Sequence, residues 1–315
     1  MKKSGLVYAL ITALVFTTLE PVSKLIAEDI NPYSITFIRF LIGSLLLLPF
    51  AIQKIRKEKI HIMPKDIAVL TLLGVLCICF SMVMLQLAVK MADAPSLIAI
   101  IFSANSVFTI LFAMVILKEK MTKGKFIAVI LCIIGVCLCA DFSKGTNLLS
   151  VTLALVAALC FSLYTALSKK YMKKLNGVIQ SSFSFLIGSI VLLIVLVVMR
   201  VKIVPSINPY NTTILLYLGI VVTGVGYWAY FKAIEKGGAM AGSFAFFIKP
   251  ILTPFATFFI NGIKPSVTVF VAVLFIVTGS YFATYSKKAN ISFVGCYDNT
   301  LNTIQVLTAK GSETI

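Results

Sequence analysis

The 315-residue sequence predicts an all-α membrane protein: ten transmembrane helices arranged as two inverted five-helix repeats. Three observations predict it. The chain is 60% apolar and only 12% charged, with a mean hydropathy of +1.04. Its apolar runs are about as long as a helix needs to cross hydrocarbon. The first half of the chain also recurs in the second at a constant offset. A soluble fold of this length needs a polar skin that these residues cannot supply, whereas lipid accepts an apolar surface.

Crossing about 30 Å of hydrocarbon takes roughly 20 helical residues. Apolar runs bounded by charges or turn residues place spans at 6–27, 33–53, 67–89, 95–117, 124–141, 147–168, 177–199, 212–234, 239–262 and 265–286. The first is not read as a cleaved leader, because it carries Glu20 and Lys24 and has a copy later in the chain. Lys and Arg alternate between the connecting segments, 18 on one side against 5 on the other. This excess predicts that both termini face the cytoplasm of a cell membrane. The net charge of +17 therefore reads as an orientation signal rather than a nucleic-acid surface. The polar segment 289–315 has no apolar run of span length and is expected to be poorly ordered.

The repeat is explicit. ALITALVFTTLEPVSK at 9–24 matches ALVAALCFSLYTALSK at 154–169, and FLIGS at 40–44 recurs at 185–189. Gly74 pairs with Gly219 and Ala88 with Ala233, all at an offset of 145. The units are therefore 1–142 and 143–288, followed by the tail. Five is odd, so the second copy must enter the membrane from the opposite side. Inverted repeats of this kind suit alternating access, in which the halves exchange conformations around one site.

Several chemistries find no support. Cys77, Cys79, Cys132, Cys137, Cys139 and Cys160 lie in apolar runs without ligand spacing, and the lone His61 has no cluster around it. There are no paired intramembrane aspartates, no HExxH and no GxxxxGK[ST] loop. An enzyme, a metal site and a bound cofactor are all unexpected, and energy must come from a gradient, with a proton as the candidate coupled ion.

Charges inside spans each need a reason, since one near the bilayer centre costs at least ~2.5–3.5 kcal/mol. Lys249, in GSFAFFIKPILTPFATFF, lies about ten residues from either end of its span. Its side chain reaches ~6 Å, while the nearer interface is roughly 15 Å away, so it cannot snorkel. Pro250 and Pro254 follow and free the carbonyls of residues 246 and 250. Two roles fit: a cationic anchor in a solute path, or a structural lysine bonded to neighbouring carbonyls. Glu20 is a candidate for binding an ammonium or a proton, but Lys24 one turn on offers it a structural i,i+4 ion pair. Arg39 and Lys232, nearer span ends, are expected to snorkel. Tyr227 and Tyr230 share a helical face with Phe231, and Tyr164 is a further ring that can line an amphipathic site or pack in the core. Asn105 stands where the second repeat has Pro250, and Gly237-Gly238 reads as a tight turn or hinge.

Residues 6–286 resemble the EamA family of the drug/metabolite transporter superfamily. The features that carry the resemblance are Lys24, the Phe37-Ile38-Arg39 run, the paired Ala88 and Ala233, and the LKEKMTKGK loop followed by Gly135. The second repeat departs from the pattern with Lys264-Pro265 in place of Glu119-Lys120. The resemblance implies a small-molecule transporter, often an exporter of amino acids and related metabolites; the buried charges and rings read above make Lys249, Glu20, Tyr227, Tyr230, Tyr164 and Asn105 the candidate substrate contacts. In that role Lys249 meets a carboxylate, while Glu20 meets an amine or takes a proton. The competing readings are an exporter of lipophilic toxic compounds and a membrane sensor or scaffold that moves nothing.

Overall fold

A computed structural model describes residues 3–116, 118, 121–139, 147–171, 175–201, 203 and 208–285. Cys296 and the tail 289–315 lie outside the described residues, as do Glu119 and Lys120. The described chain is helical: α1 Lys3–Thr17, α2 Leu19–Lys24, α3 Pro32–Glu58, α4 Pro64–Gly74, α5 Val83–Met91, α6 Pro95–Phe102 and α7 Asn105–Ile116. Then follow α8 Lys123–Cys139, α9 Leu148–Tyr171, α10 Gly177–Val198, α11 Pro209–Leu216, α12 Gly226–Asn261 and α13 Val267–Tyr285. Two π-helical stretches, Val75–Met82 and Tyr217–Val225, join α4 to α5 and α11 to α12. Seven continuous segments among the described residues are long and apolar enough to cross a membrane. Large apolar side chains such as Val115, Phe259 and Leu274 face outward, as they do when the solvent is lipid. This is an all-α integral membrane protein.

Local chemistry sets the helix ends. Asn31 caps α3 by accepting from the Tyr33 amide at 3.0 Å, and Asn176, its counterpart at the 145-residue offset, caps α10 by accepting from Val178 at 3.2 Å. Pro32 and Pro95 occupy first turns, where no backbone donor is lost. α12 ends at Gly262, whose φ of 70° suits the left-handed conformation glycine tolerates.

Helix α12 is not straight. Tyr230 and Phe246 have ring centroids 5.7 Å apart, yet sixteen residues of straight helix separate their backbones by ~24 Å. Phe16 likewise touches both Tyr227 and Phe246, at 5.2 and 6.2 Å. The chain therefore folds back between Tyr230 and Phe246, an interval that contains Gly237 and Gly238. One limb runs from Gly226 and the other ends at Asn261.

The packing follows the repeat. Phe40 and Phe185, equivalent residues of the two copies, meet edge to face at 4.9 Å. A residue touches its own counterpart only beside a two-fold axis, so a pseudo-two-fold axis runs through the α3–α10 contact. Contacts off the axis come in exchanged pairs. A Cβ on Gly188 would lie 2.7 Å from the carbonyl oxygen of Gly74, and one on Gly219 would lie 2.7 Å from Ile42 Cβ, beside Gly43. Gly74 with Gly188 becomes Gly219 with Gly43 under the offset. Backbones approach this closely only where side chains are absent. The two π stretches fall at matching places, each running past this close approach.

Substitution at these glycines must push backbone against backbone. Gly74→Ala and Gly188→Ala are each expected to destabilise the protein by ~1–3 kcal/mol, read as loss of unfolding free energy in detergent micelles.

Candidate functional site

Glu20 sits on α2, a short helix offset from α1 by a break at Thr18, where the Thr18 hydroxyl is bonded to the Val15 carbonyl and to the Tyr217 hydroxyl, both at 2.8 Å. Pro21 follows and brings no backbone donor. Gln86 Nε2 donates to Ser23 Oγ at 3.0 Å and Asn261 Nδ2 to the Pro21 carbonyl at 3.1 Å, so α2 is tied to α5 and to the far limb of α12. The Glu20 carboxylate is fully buried.

Its partner is Lys249. The ammonium donates to Glu20 Oε1 at 2.6 Å, and the lysine is only 3% exposed. The pair joins the two repeats across 229 residues of chain. Phe102 lies beneath the ammonium, with its ring centroid 5.5 Å from Nζ, in reach of a cation–π interaction. Thr253 Oγ1 donates to the Lys249 carbonyl at 2.7 Å and steadies the turn before Pro254. Glu20 does not pair with Lys24, which instead donates to the Lys90 carbonyl at 2.8 Å and lies 3.9 Å from Glu28. Glu20 Oε2 has no hydrogen-bond partner among the described residues, so half of the carboxylate is free to accept.

Rings fill the space beside the pair. Tyr227 packs on Phe16, Phe40 and Phe185 next to the pseudo-two-fold axis. Tyr230 packs on Phe231 and on Phe246, one turn before Lys249. Tyr164 is buried against Phe161, which in turn touches Phe102. The expected rings thus form two groups, Tyr227 and Tyr230 joined through Phe16 and Phe246, and Tyr164 joined through Phe161 to Phe102 beneath the ammonium. Asn105 acts locally. Its Nδ2 donates to the Phe102 carbonyl at 2.8 Å across the break between α6 and α7, and its carbonyl accepts from Ser162 Oγ.

Arg39 departs from expectation. It does not snorkel: it is 2% exposed, beside the axis residue Phe40, with its guanidinium carbon 4.6 Å from that ring centroid. In the second turn of α3, its side chain turns inward because Met82 and Phe40 give it a soft sulfur and a π face to rest on. Lys232 does stay near the surface, bonded to Glu235 at 2.9 Å. The clue to Arg39 in the sequence is the duplicated FLIGS directly after it, which marks where the halves meet.

The EamA-like transporter family model matches residues 3–140 and again 148–285. The chain belongs to the EamA-like transporter family. An uncharacterized transporter of Clostridium kluyveri is 38% identical over 298 residues, 91% of this chain and 96% of that protein. An S-adenosylmethionine uptake transporter of Rickettsia prowazekii is 22% identical, across 92% of this chain and 95% of its own. A solved crystal structure shares the fold with a TM-score of 0.62 at 16% identity, covering 90% of this chain and 97% of that one. The EamA-like family and these named relatives make the protein a transporter and not an enzyme.

A buried ion pair constrains what can be removed. Lys249→Met or Glu20→Leu alone strands an uncompensated charge and is expected to cost ~3–5 kcal/mol of unfolding free energy. The double variant should recover most of that loss, and a double-mutant cycle on unfolding in micelles measures the coupling.

Proposed function

We propose that the protein is a secondary transporter of ten transmembrane helices that moves a small amphipathic organic solute, an amino acid or related metabolite, by alternating access, in the direction of export from the cell. The observation that carries the reading is the Glu20–Lys249 pair, an intramembrane ion pair made between the two repeats. Sites of transport characteristically lie at such repeat interfaces.

The ten-span count rests on seven full-length segments, the shorter α8 and α13, and a second limb of α12 created by its reversal. With five spans per copy, 1–142 and 143–288 are inverted, and the excess of Lys and Arg on one side sets both termini in the cytoplasm of the cell membrane. The exchanged Gly74–Gly188 and Gly219–Gly43 approaches support this arrangement.

With no solute, the pair neutralises itself. A solute bearing an ammonium competes with Lys249 for Glu20, using Oε2, which has no hydrogen-bond partner among the described residues. A proton arriving at Glu20 does the same, which couples the movement of one to the other. Tyr227, Tyr230 and Tyr164 present ring faces to the apolar part of the solute. The Rickettsia relative is named for an amino-acid derivative, in keeping with this solute class.

The test is solute flux in proteoliposomes, screened with an amino-acid and metabolite panel in both directions. The Lys249→Met/Glu20→Leu double variant, expected to keep the fold, is expected to lose flux at least tenfold, and Glu20→Gln to lose its dependence on an imposed proton gradient. Unchanged flux in the double variant removes the pair from the site. Flux only into vesicles that present the cytoplasmic face inward reverses the proposed direction.

A further inference from the structure

Charge is not balanced inside the bundle. Among the described residues, three side chains that carry a full charge are almost wholly buried at the repeat interface: Glu20, Lys249 and Arg39. Glu20 and Lys249 cancel each other at 2.6 Å. Arg39 is left with one hydrogen bond, from Nη2 to the thioether sulfur of Met82 at 3.0 Å, and the Phe40 ring at 4.6 Å. Its Nε has no partner among the described residues, and no carboxylate there forms an ion pair with it. A thioether is a weak acceptor, and a ring face replaces only part of a cation's hydration. An arginine normally takes a carboxylate through two parallel hydrogen bonds.

Its place in the fold makes this surplus informative. Phe40, the next residue, touches Phe185 on the pseudo-two-fold axis, and Tyr227 packs on both. Met82 and Tyr227 are themselves equivalent residues of the two copies, so Arg39 stands beside the axis with a flexible sulfur on one flank and a phenol on the other. The Phe16 ring links Tyr227 to Phe246, close to Lys249. The ring contacts thus run from Arg39 to within one helical turn of Lys249, the partner of Glu20.

We infer that Arg39 is the anion-binding residue of the transport site: its guanidinium, displaced from Met82, holds the carboxylate of the solute while Glu20 takes the amine or proton. The inference rests on the transport reading and changes one of its terms, because Lys249 is already committed to Glu20 and Arg39 is the cation with a fork to offer. The substrate class follows: solutes carrying a free carboxylate, zwitterions included, and not their neutral or cationic derivatives. No bond is made or broken; the solute's charge replaces a soft sulfur contact.

The experiment compares carboxylates with their amides. Purified protein in micelles is melted with acetate, benzoate and neutral amino acids, then with acetamide, benzamide and the amino-acid carboxamides at equal ionic strength. Carboxylates are expected to raise the melting temperature and the amides to leave it in place. In Arg39→Met the rise should vanish, while the protein without solute melts no lower than wild type, since a buried unpaired charge has been exchanged for an apolar chain of similar length. Arg39→Lys should keep the response with about a tenfold weaker half-saturation, because charge remains but the fork is lost. Amides stabilising as well as acids, or no carboxylate stabilising at all, overturns the inference without any variant. A solute-free Arg39→Met protein that melts several degrees lower assigns the guanidinium a packing role and overturns it as well. Carboxylate stabilisation without flux of any panel member leaves Arg39 an anion site and removes the transport reading instead.

Discussion

A lysine ammonium in the middle of an apolar bundle must find an anion or not be built at all. Here the anion comes from the other repeat. The Glu20–Lys249 contact is therefore both a local solution to desolvation and a clasp across the pseudo-symmetric interface. Much of the surrounding structure serves it. A one-residue interruption at Thr18 separates α2 from α1, Gln86 and Asn261 hold α2 in place, and Pro250 and Pro254 follow Lys249 along its helix. Buried pairs of this kind add little net stability, because desolvation offsets attraction. A bundle kept together by apolar packing has no need of one, which is the physical case for a functional role.

The two copies are alike in backbone and unlike in charge. At the 145-residue offset, Glu20 corresponds to Thr165, Arg39 to Ser184 and Lys249 to Ala104. The caps at Asn31 and Asn176, the glycine approaches and the π stretches all occur twice. Duplication supplied a symmetric scaffold, and none of these three charged groups has a charged counterpart at the equivalent position. On the proposed transport reading, an off-centre charge set beside a pseudo-two-fold axis would give a solute two different ends to recognise within a frame built from two similar halves.

The architecture is legible in the sequence because lipid imposes a strict length rule and the copies align without a gap. Helix class and the burial of Lys249 both follow from that. Partner choice does not follow. Lys24 is the obvious neighbour of Glu20 along the chain, yet Lys249 wins through a contact between repeats that no local spacing encodes. Arg39 escapes the sequence for a similar reason: distance from a helix end suggests snorkelling, but whether a long side chain turns to the interface or inward depends on what packs beside it. Met82 and Phe40 decide that, and only a folded chain brings Met82 to α3. The reversal in α12 agrees with the hinge expected at Gly237-Gly238, although helical hydrogen bonding continues much further around it than a simple loop would suggest.

The matched π stretches at Val75–Met82 and Tyr217–Val225 carry a mechanical implication. A π turn stores one residue more than an α turn over nearly the same rise. Tightening it to α geometry turns every later side chain by about 100° around the helix axis while the rod stays unbroken. Met82 closes the first stretch, and its equivalent Tyr227 lies two residues beyond the second, packed on Phe40 and Phe185. On the transport reading, winding up one reserve while the other is kept would turn a sulfur or a phenol beside the axis, so the slack for such a motion would lie within the helices rather than in the loops.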